Sequence, residues 1–155
     1  MTVLVDADAC PVKREIAEAA IRRGVRAIFV SGQYLRLPEH PLVKLYVAGA
    51  GFDAADDAIA AVAKPGTVTI TADVPLAHRV VEAGGAVLTP RGHEFDASNV
   101  GVALAQRDLK EALRGGVEGG AGVDVGRGPA PFDAAARRRF VDALDRVLTR
   151  FARGG

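Results

Sequence analysis

Short apolar runs that stop abruptly and hand over to helical patterns constrain this chain more than any other feature. Val3-Leu4-Val5 ends at Asp6, and the pattern returns at Val25 to Val30, Leu42 to Ala48, Thr67 to Thr71 and Ala86 to Thr89. Runs that are apolar at consecutive rather than alternate positions read as strands covered on both faces. Helical spacing fills the gaps. Pro11 opens a predicted helix over about 11–23, with Ile16, Ala19, Ala20 and Arg23 in register and Gly24 as its stop. Residues 53–63 form another, closed by Pro65-Gly66, and residues 74–83 a third, closed by Gly84-Gly85. Ser98 is the expected cap of a helix reaching about residue 113. Strands alternating with helices call for a parallel sheet with helices on both faces. The expectation is an α/β fold: a three-layer α/β/α domain with a mainly parallel sheet and a C-terminal helical extension.

With 155 residues the chain is about one domain. Its 49% hydrophobic and 25% charged residues are a globular balance, and without tryptophan the core must be built from Ala, Val, Leu and Ile. Residues 1–114 read as the α/β domain and 115–131 as a glycine-rich flexible linker. Residues 132–155 read as a final helix whose apolar stripe, Phe140, Val141, Leu144, Val147, Leu148 and Phe151, docks on the domain or on a second copy, so a homodimer is one expectation. A single cysteine, Cys10, excludes an internal disulfide and suits a reducing compartment. The start Met1-Thr2-Val3-Leu4-Val5-Asp6 has no basic lead and too short an apolar run for a signal peptide. No run approaches the roughly 20 apolar residues of a membrane span. The expected location is the cytoplasm, with no membrane partner. A net charge of +1 selects no partner by bulk electrostatics.

Aspartates gather where these elements meet. Asp6 and Asp8 follow the first run, Asp53, Asp56 and Asp57 open the middle helix, and Asp73 follows Thr69-Ile70-Thr71-Ala72. In an open parallel sheet, ligands bind beyond the carboxyl ends of the strands. Asp53 and Asp57, four apart on the expected helix, should share a face. Any one of Asp8, Asp53 and Asp73 is explained by helix capping alone. Together they describe a shared site, in which a hard cation such as Mg²⁺ or Mn²⁺ offsets carboxylate repulsion. The histidines His40, His78 and His93 show no paired ligand spacing. Cys10 sits at a helix start, which can depress a thiol pKa, but no partner base is visible. Lys13, Arg14 and Arg91 fall near the same edge and are candidate phosphate contacts.

Two enzyme classes fit this pattern. An apolar strand ending in Asp6-x-Asp8 resembles the haloacid-dehalogenase-like phosphatases, with Asp6 as nucleophile and Asp8 as acid/base. Ser31 and Lys44 then take the next motif roles, and Asp53 with Asp57 become the metal carboxylates. Cys10, Pro11 and an idle Asp73 speak against it. The order Asp6, Asp53–Asp57, Asp73 resembles the PIN-like nucleases instead.

A closer resemblance rests on longer motifs. Val5-Asp6-Ala7-Asp8-Ala9-Cys10-Pro11, Gln33-Tyr34-Leu35-Arg36 with Pro38, Gly51-Phe52-Asp53-Ala54-Ala55-Asp56, Ile70-Thr71-Ala72-Asp73-Val74-Pro75-Leu76-Ala77 and Pro90-Arg91-Gly92 are similar to the YaiI/YqxD family of uncharacterised bacterial proteins. That resemblance runs over nearly the whole chain and implies a PIN-like fold. The expected function is metal-dependent cleavage of a phosphodiester, in RNA before DNA. Asp6, Asp73 and one or more of Asp53, Asp56 and Asp57 would hold Mg²⁺ or Mn²⁺, with Asp8 ligating directly or through water. A non-catalytic RNA- or protein-binding module is the alternative outside enzymology.

Overall fold

The computed structural model describes residues 1–116 and 130–154. Of the stretch read as a linker, residues 117–129 lie outside the described ones. The described elements run β1 (Thr2–Asp6), α1 (Lys13–Arg23), β2 (Arg26–Ser31), β3 (Val43–Val47), α2 (Ala54–Val62), β4 (Thr67–Ile70), α3 (Val74–Glu82), β5 (Ala86–Leu88), β6 (Glu94–Phe95), α4 (Val100–Gly116) and α5 (Ala134–Gly154). No described helix is long and apolar enough to cross a membrane.

The strands form one sheet in the order β3-β2-β1-β4-β5-β6. β1 is central, with Val5 level with Phe29 of β2 on one side and Ile70 of β4 on the other. The chain moves outward from β1 through β2 to β3, then returns to place β4 against the free side of β1. The direction of winding therefore reverses between β1 and β4, the position where open α/β sheets form their ligand crevice. All pairings are parallel except β5 with β6, where Leu88 lies opposite Glu94.

Side chains alternate across the pleat and feed two cores. Val3, Val5, Phe29, Val68 and Ile70 pack with Ile16 and Ala20 of α1 and with Phe140, Leu144, Val147 and Leu148 of α5. Leu4, Val30 and Val87 turn to the opposite face, against Ile59 of α2, Leu76 and Val80 of α3 and Val100 of α4. This is the expected three-layer arrangement. The α5 stripe is buried against the same chain's sheet rather than left open.

Three local expectations change. α1 begins at Lys13 rather than Pro11, with Val12 as its N-cap residue, and the Cys10 N–H closes the preceding turn on the Ala7 carbonyl. Ser98 does not cap α4; its N–H and hydroxyl both donate to Asp96 Oδ1, at 2.8 and 2.5 Å, in a turn before the helix. β6, two residues long, is an edge strand that no apolar run announces.

Candidate functional site

The reversal between β1 and β4 places two strand ends side by side, and each carries a carboxylate. Asp6 is the last residue of β1. Thr71 follows β4 and is itself buried. Its hydroxyl donates to Asp6 Oδ2 at 2.8 Å and accepts from the Asp73 N–H at 3.0 Å. One threonine thus fixes both acids. Sequence reasoning gave Thr71 no role, although a threonine two residues before an aspartate at a strand end is a known backbone-bridging pattern. Asp73 is also the N-cap of α3, its Oδ1 accepting from the Leu76 N–H at 3.0 Å. The capping explanation holds for Asp73 and leaves its second carboxylate oxygen available.

The third contribution comes from α2. Asp53 precedes the helix with φ 62°, the sole non-glycine residue at positive φ among those described. Its side chain caps nothing, while its carbonyl accepts from the Asp57 N–H at 2.8 Å. Left-handed backbone is uncommon for any residue but glycine, and Asp and Asn are the usual exceptions. Asp53 therefore stands at the N-cap of α2 rather than within it. Asp57 turns to α3, where the Arg79 guanidinium donates to it at 2.9 Å. Asp56 faces the acids instead. Loss of hydration pushes its carboxyl up to about 6, and the negative charges of Asp73, Asp6 and Asp53 push the same way, with Arg79 opposing them. Burial likewise raises Asp6, with help from Asp73 and Asp8 and against the Thr71 hydrogen bond. The structure therefore joins Asp6, Asp53, Asp56 and Asp73 in one electrostatic neighbourhood.

Asp8 borders this group but is heavily engaged. It accepts from the buried Ser31 hydroxyl at 2.6 Å and from the Gly32 N–H at 3.0 Å. A Cβ on Gly32 would stand 3.2 Å from the Gly49 carbonyl and 3.6 Å from Asp8 Oδ2, so glycine permits the approach. Asp8 thereby ties the β1–α1 turn to the end of β2. Neither Ser31 nor Gly32 was singled out as its partner from sequence.

A family model described as "Uncharacterized BCR, YaiI/YqxD family" matches residues 4–150. The chain belongs to the YaiI/YqxD family. A UPF0178 protein of Sphingopyxis alaskensis is 47% identical over 152 residues, covering 98% of this chain and 96% of the relative. A UPF0178 protein of Rhodopseudomonas palustris strain BisB5 is 46% identical over 151 residues, 97% of this chain and 88% of the relative. The UPF0178 protein BRADO3147 of a Bradyrhizobium species is 44% identical over 153 residues, 99% and 90% of the two chains. No solved structure matches the chain.

The basic residues chosen from sequence are not all free to meet a phosphate in this YaiI/YqxD chain. Lys13 folds back, its Nζ donating to the Cys10 carbonyl at 2.7 Å. Arg91 donates to the Ala130 carbonyl and lies 5.6 Å from the centre of the Phe132 ring, anchoring the approach to α5. Arg14 is exposed and only loosely paired, 3.7 Å from Glu18. Cys10 is buried, and that burial pushes its thiol up, contrary to the depression a helix start can give.

Among the described residues of this YaiI/YqxD member, no three His, Cys, Asp or Glu side chains stand close enough to grip one ion between them. The donor set is nonetheless all oxygen and net negative, the kind hard cations prefer. It fits an ion held by one or two carboxylates with water completing its shell, the mode Mg²⁺ commonly adopts.

Proposed function

We propose that this chain is a metal-dependent phosphodiesterase acting on RNA, with a PIN-like arrangement of carboxylates at the β1–β4 edge. The observation that carries the reading is the Thr71 bridge where β1 and β4 end side by side, its hydroxyl donating to Asp6 Oδ2 at 2.8 Å and accepting from the Asp73 N–H at 3.0 Å. Acids brought together at the ligand crevice of an open sheet, where burial and the charges of Asp73, Asp6 and Asp53 outweigh Arg79 at Asp56, favour a divalent cation. Asp6 and Asp73 are the primary candidate ligands, with Asp56 and Asp53 close behind. Bound there, Mg²⁺ or Mn²⁺ supplies Lewis-acid polarisation of the phosphodiester. Thr71 keeps Asp6 and Asp73 in fixed mutual orientation, and Asp8 holds the β1–α1 turn through Ser31 and Gly32. The left-handed Asp53 adds support, because backbone outliers cluster at functional sites.

The dehalogenase-like alternative has less support. Its lysine would be Lys44, which is the second residue of β3, level with Ile28 and near the amino end rather than at the carboxyl edge. Purified protein incubated with labelled RNA and DNA, with Mn²⁺, Mg²⁺ or EDTA, tests the reading. RNA cleavage that needs the cation and disappears in Asp6→Asn is the expected result. Cation-dependent turnover of a simple phosphomonoester, with phosphate trapped on Asp6, transfers the case to the phosphatase. No cleavage of any strand with either cation removes the nuclease reading.

A further inference from the structure

A cleft of about 920 Å³ opens between the start of α1, the β2–β3 loop and α5. Lys13, Arg14, Arg36 and Arg137 line it, against the carboxylates of Glu15 and Glu39. Two of the cations have internal duties: Lys13 on the turn carbonyls, and Arg137 on Glu15 at 2.7 Å and the Pro11 carbonyl at 3.1 Å. The other two face outward. Arg36 is exposed and makes no ion pair among the described residues, and Arg14 keeps its distant partner. Between them in the lining is Tyr34, 77% exposed, a degree of exposure that packing does not explain. The cleft belongs to the Gln33-Tyr34-Leu35-Arg36 motif, for which the acidic site has no use.

We infer that this cleft binds an unpaired stretch of nucleic acid, a base stacking on Tyr34 and backbone phosphates meeting Arg36 and Arg14. Small-molecule pockets of this size are mostly apolar with a few polar groups. Here the walls carry outward cations around an open aromatic ring, the combination that tracks single strands without reading their sequence. A duplex keeps its bases stacked inside and offers Tyr34 nothing to stack on. The cleft also connects to the acids. Gly32, whose N–H holds Asp8, begins the loop that reaches Tyr34 two residues later. A strand lying on Tyr34 is thereby led past Asp8 toward Asp6 and Asp73. The inference rests on the phosphodiesterase reading for its biological sense, but not for its test.

The test is anisotropy of fluorescein-labelled oligouridylate and oligothymidylate with the full chain in EDTA, where no cation-dependent cleavage interferes. Wild type should bind single strands more tightly than a labelled duplex, with affinity falling as salt rises. Tyr34→Ala should weaken binding about tenfold or more, and Tyr34→Phe should restore it. Arg36→Ala should weaken binding and flatten the salt slope by about 0.7. The inference is overturned by no single-strand binding, by Tyr34→Ala binding as wild type, or by an acidic peptide displacing the oligonucleotide while Tyr34→Ala has no effect; the last outcome marks a protein-docking surface. Cleavage with Mn²⁺ but unaltered binding in the cleft variants sinks the cleft and spares the nuclease. Binding that depends on Tyr34, with no cleavage by any metal, does the reverse.

Discussion

The aspartates at the β1–β4 edge and those along the flank beside α4 and α5 live under opposite conditions. On the flank, Asp96 and Asp133 are held below the usual carboxylate range, Asp96 chiefly by the Ser98 hydroxyl and Asp133 by the Ala136 N–H. Asp145 stands 3.4 Å from both Arg22 and Arg23. Each acid there has a local reason to be ionised. At the edge, Asp6 and Asp56 are raised by burial and then by one another's neighbours. One region uses carboxylates to tie the fold, and the other keeps them together against their own repulsion. Stability is usually the casualty at a site shaped for binding.

The largest test of that contrast is catalytic. Asp6→Asn and Asp73→Asn should each lower cation-dependent RNA cleavage more than about 100-fold, a loss of roughly 2.7 kcal/mol of transition-state stabilisation. Asp133→Asn, whose capping ability is kept, should leave the rate alone. Equal losses in the edge and flank variants, measured by initial rates, would erase the distinction.

Cation-linked melting comes next. A ligand at about 100 times its dissociation constant stabilises the folded state by about 2.7 kcal/mol, or roughly 5–10 °C for a chain of this size. Mn²⁺ should raise the melting temperature of wild type by that order. Asp73→Asn should melt in EDTA at the wild-type temperature or above, because one repelling charge is gone, and should lose most of the Mn²⁺ shift. Differential scanning fluorimetry decides it. A full shift in Asp73→Asn excludes Asp73 as a ligand.

A smaller effect distinguishes the two regions by pH. Burial, and then the charges of Asp73, Asp6 and Asp53 against that of Arg79, push the Asp56 carboxyl up to about 6 in the folded chain, against 3.8 for a free aspartate. The folded state then binds the proton first, so stability in EDTA should rise as pH falls from about 6 toward 3.8. After discounting for solvent screening of a half-buried group, the gain is about 1 kcal/mol, or roughly 2–4 °C. Asp56→Asn should flatten this rise. Asp96 and Asp133 have the opposite sign: their lowered values give stability that is present above 3.8 and lost below it. A melting temperature that falls steadily from pH 6 to pH 4 contradicts the crowding at the edge.

The smallest expected effect belongs to Asp57. It pairs with Arg79 on the surface, so Asp57→Asn should change stability by no more than about 0.5–1 kcal/mol. It should also keep the Mn²⁺ shift. Loss of that shift would return Asp57 to the ligand set and revise the division made here between Asp56 and Asp57.

These cases show where local sequence carries information and where it stops. Strands β1 to β5 and the layered arrangement were legible because consecutive apolar residues and helical spacing are local signals. The α5 stripe was legible for the same reason. β6 escaped because Glu94 and Phe95 are held by pairing with Leu88 and Val87, not by a pattern of their own. At the site, the recurrence of Asp6 and Asp73 at neighbouring strand ends was visible, because each follows an apolar run. The choice between Asp56 and Asp57 was not, since it turns on how α2 meets α3, where Arg79 takes Asp57. Thr71 and Ser31 were hidden as partners because their bonds span 65 and 23 residues.

The core beneath α1 also sets a timetable. Ile16 and Phe29 leave the ribosome well before the residues that cover them, Phe140, Leu144 and Leu148. At about 5–20 residues per second, that apolar face waits on the order of ten seconds for its lid during synthesis. The nascent chain is therefore a client for any factor that shields greasy surface until α5 has been made. Stalling before residue 140 should yield a half-clad sheet prone to aggregation, whereas stalling after residue 148 should yield a form that resists proteases.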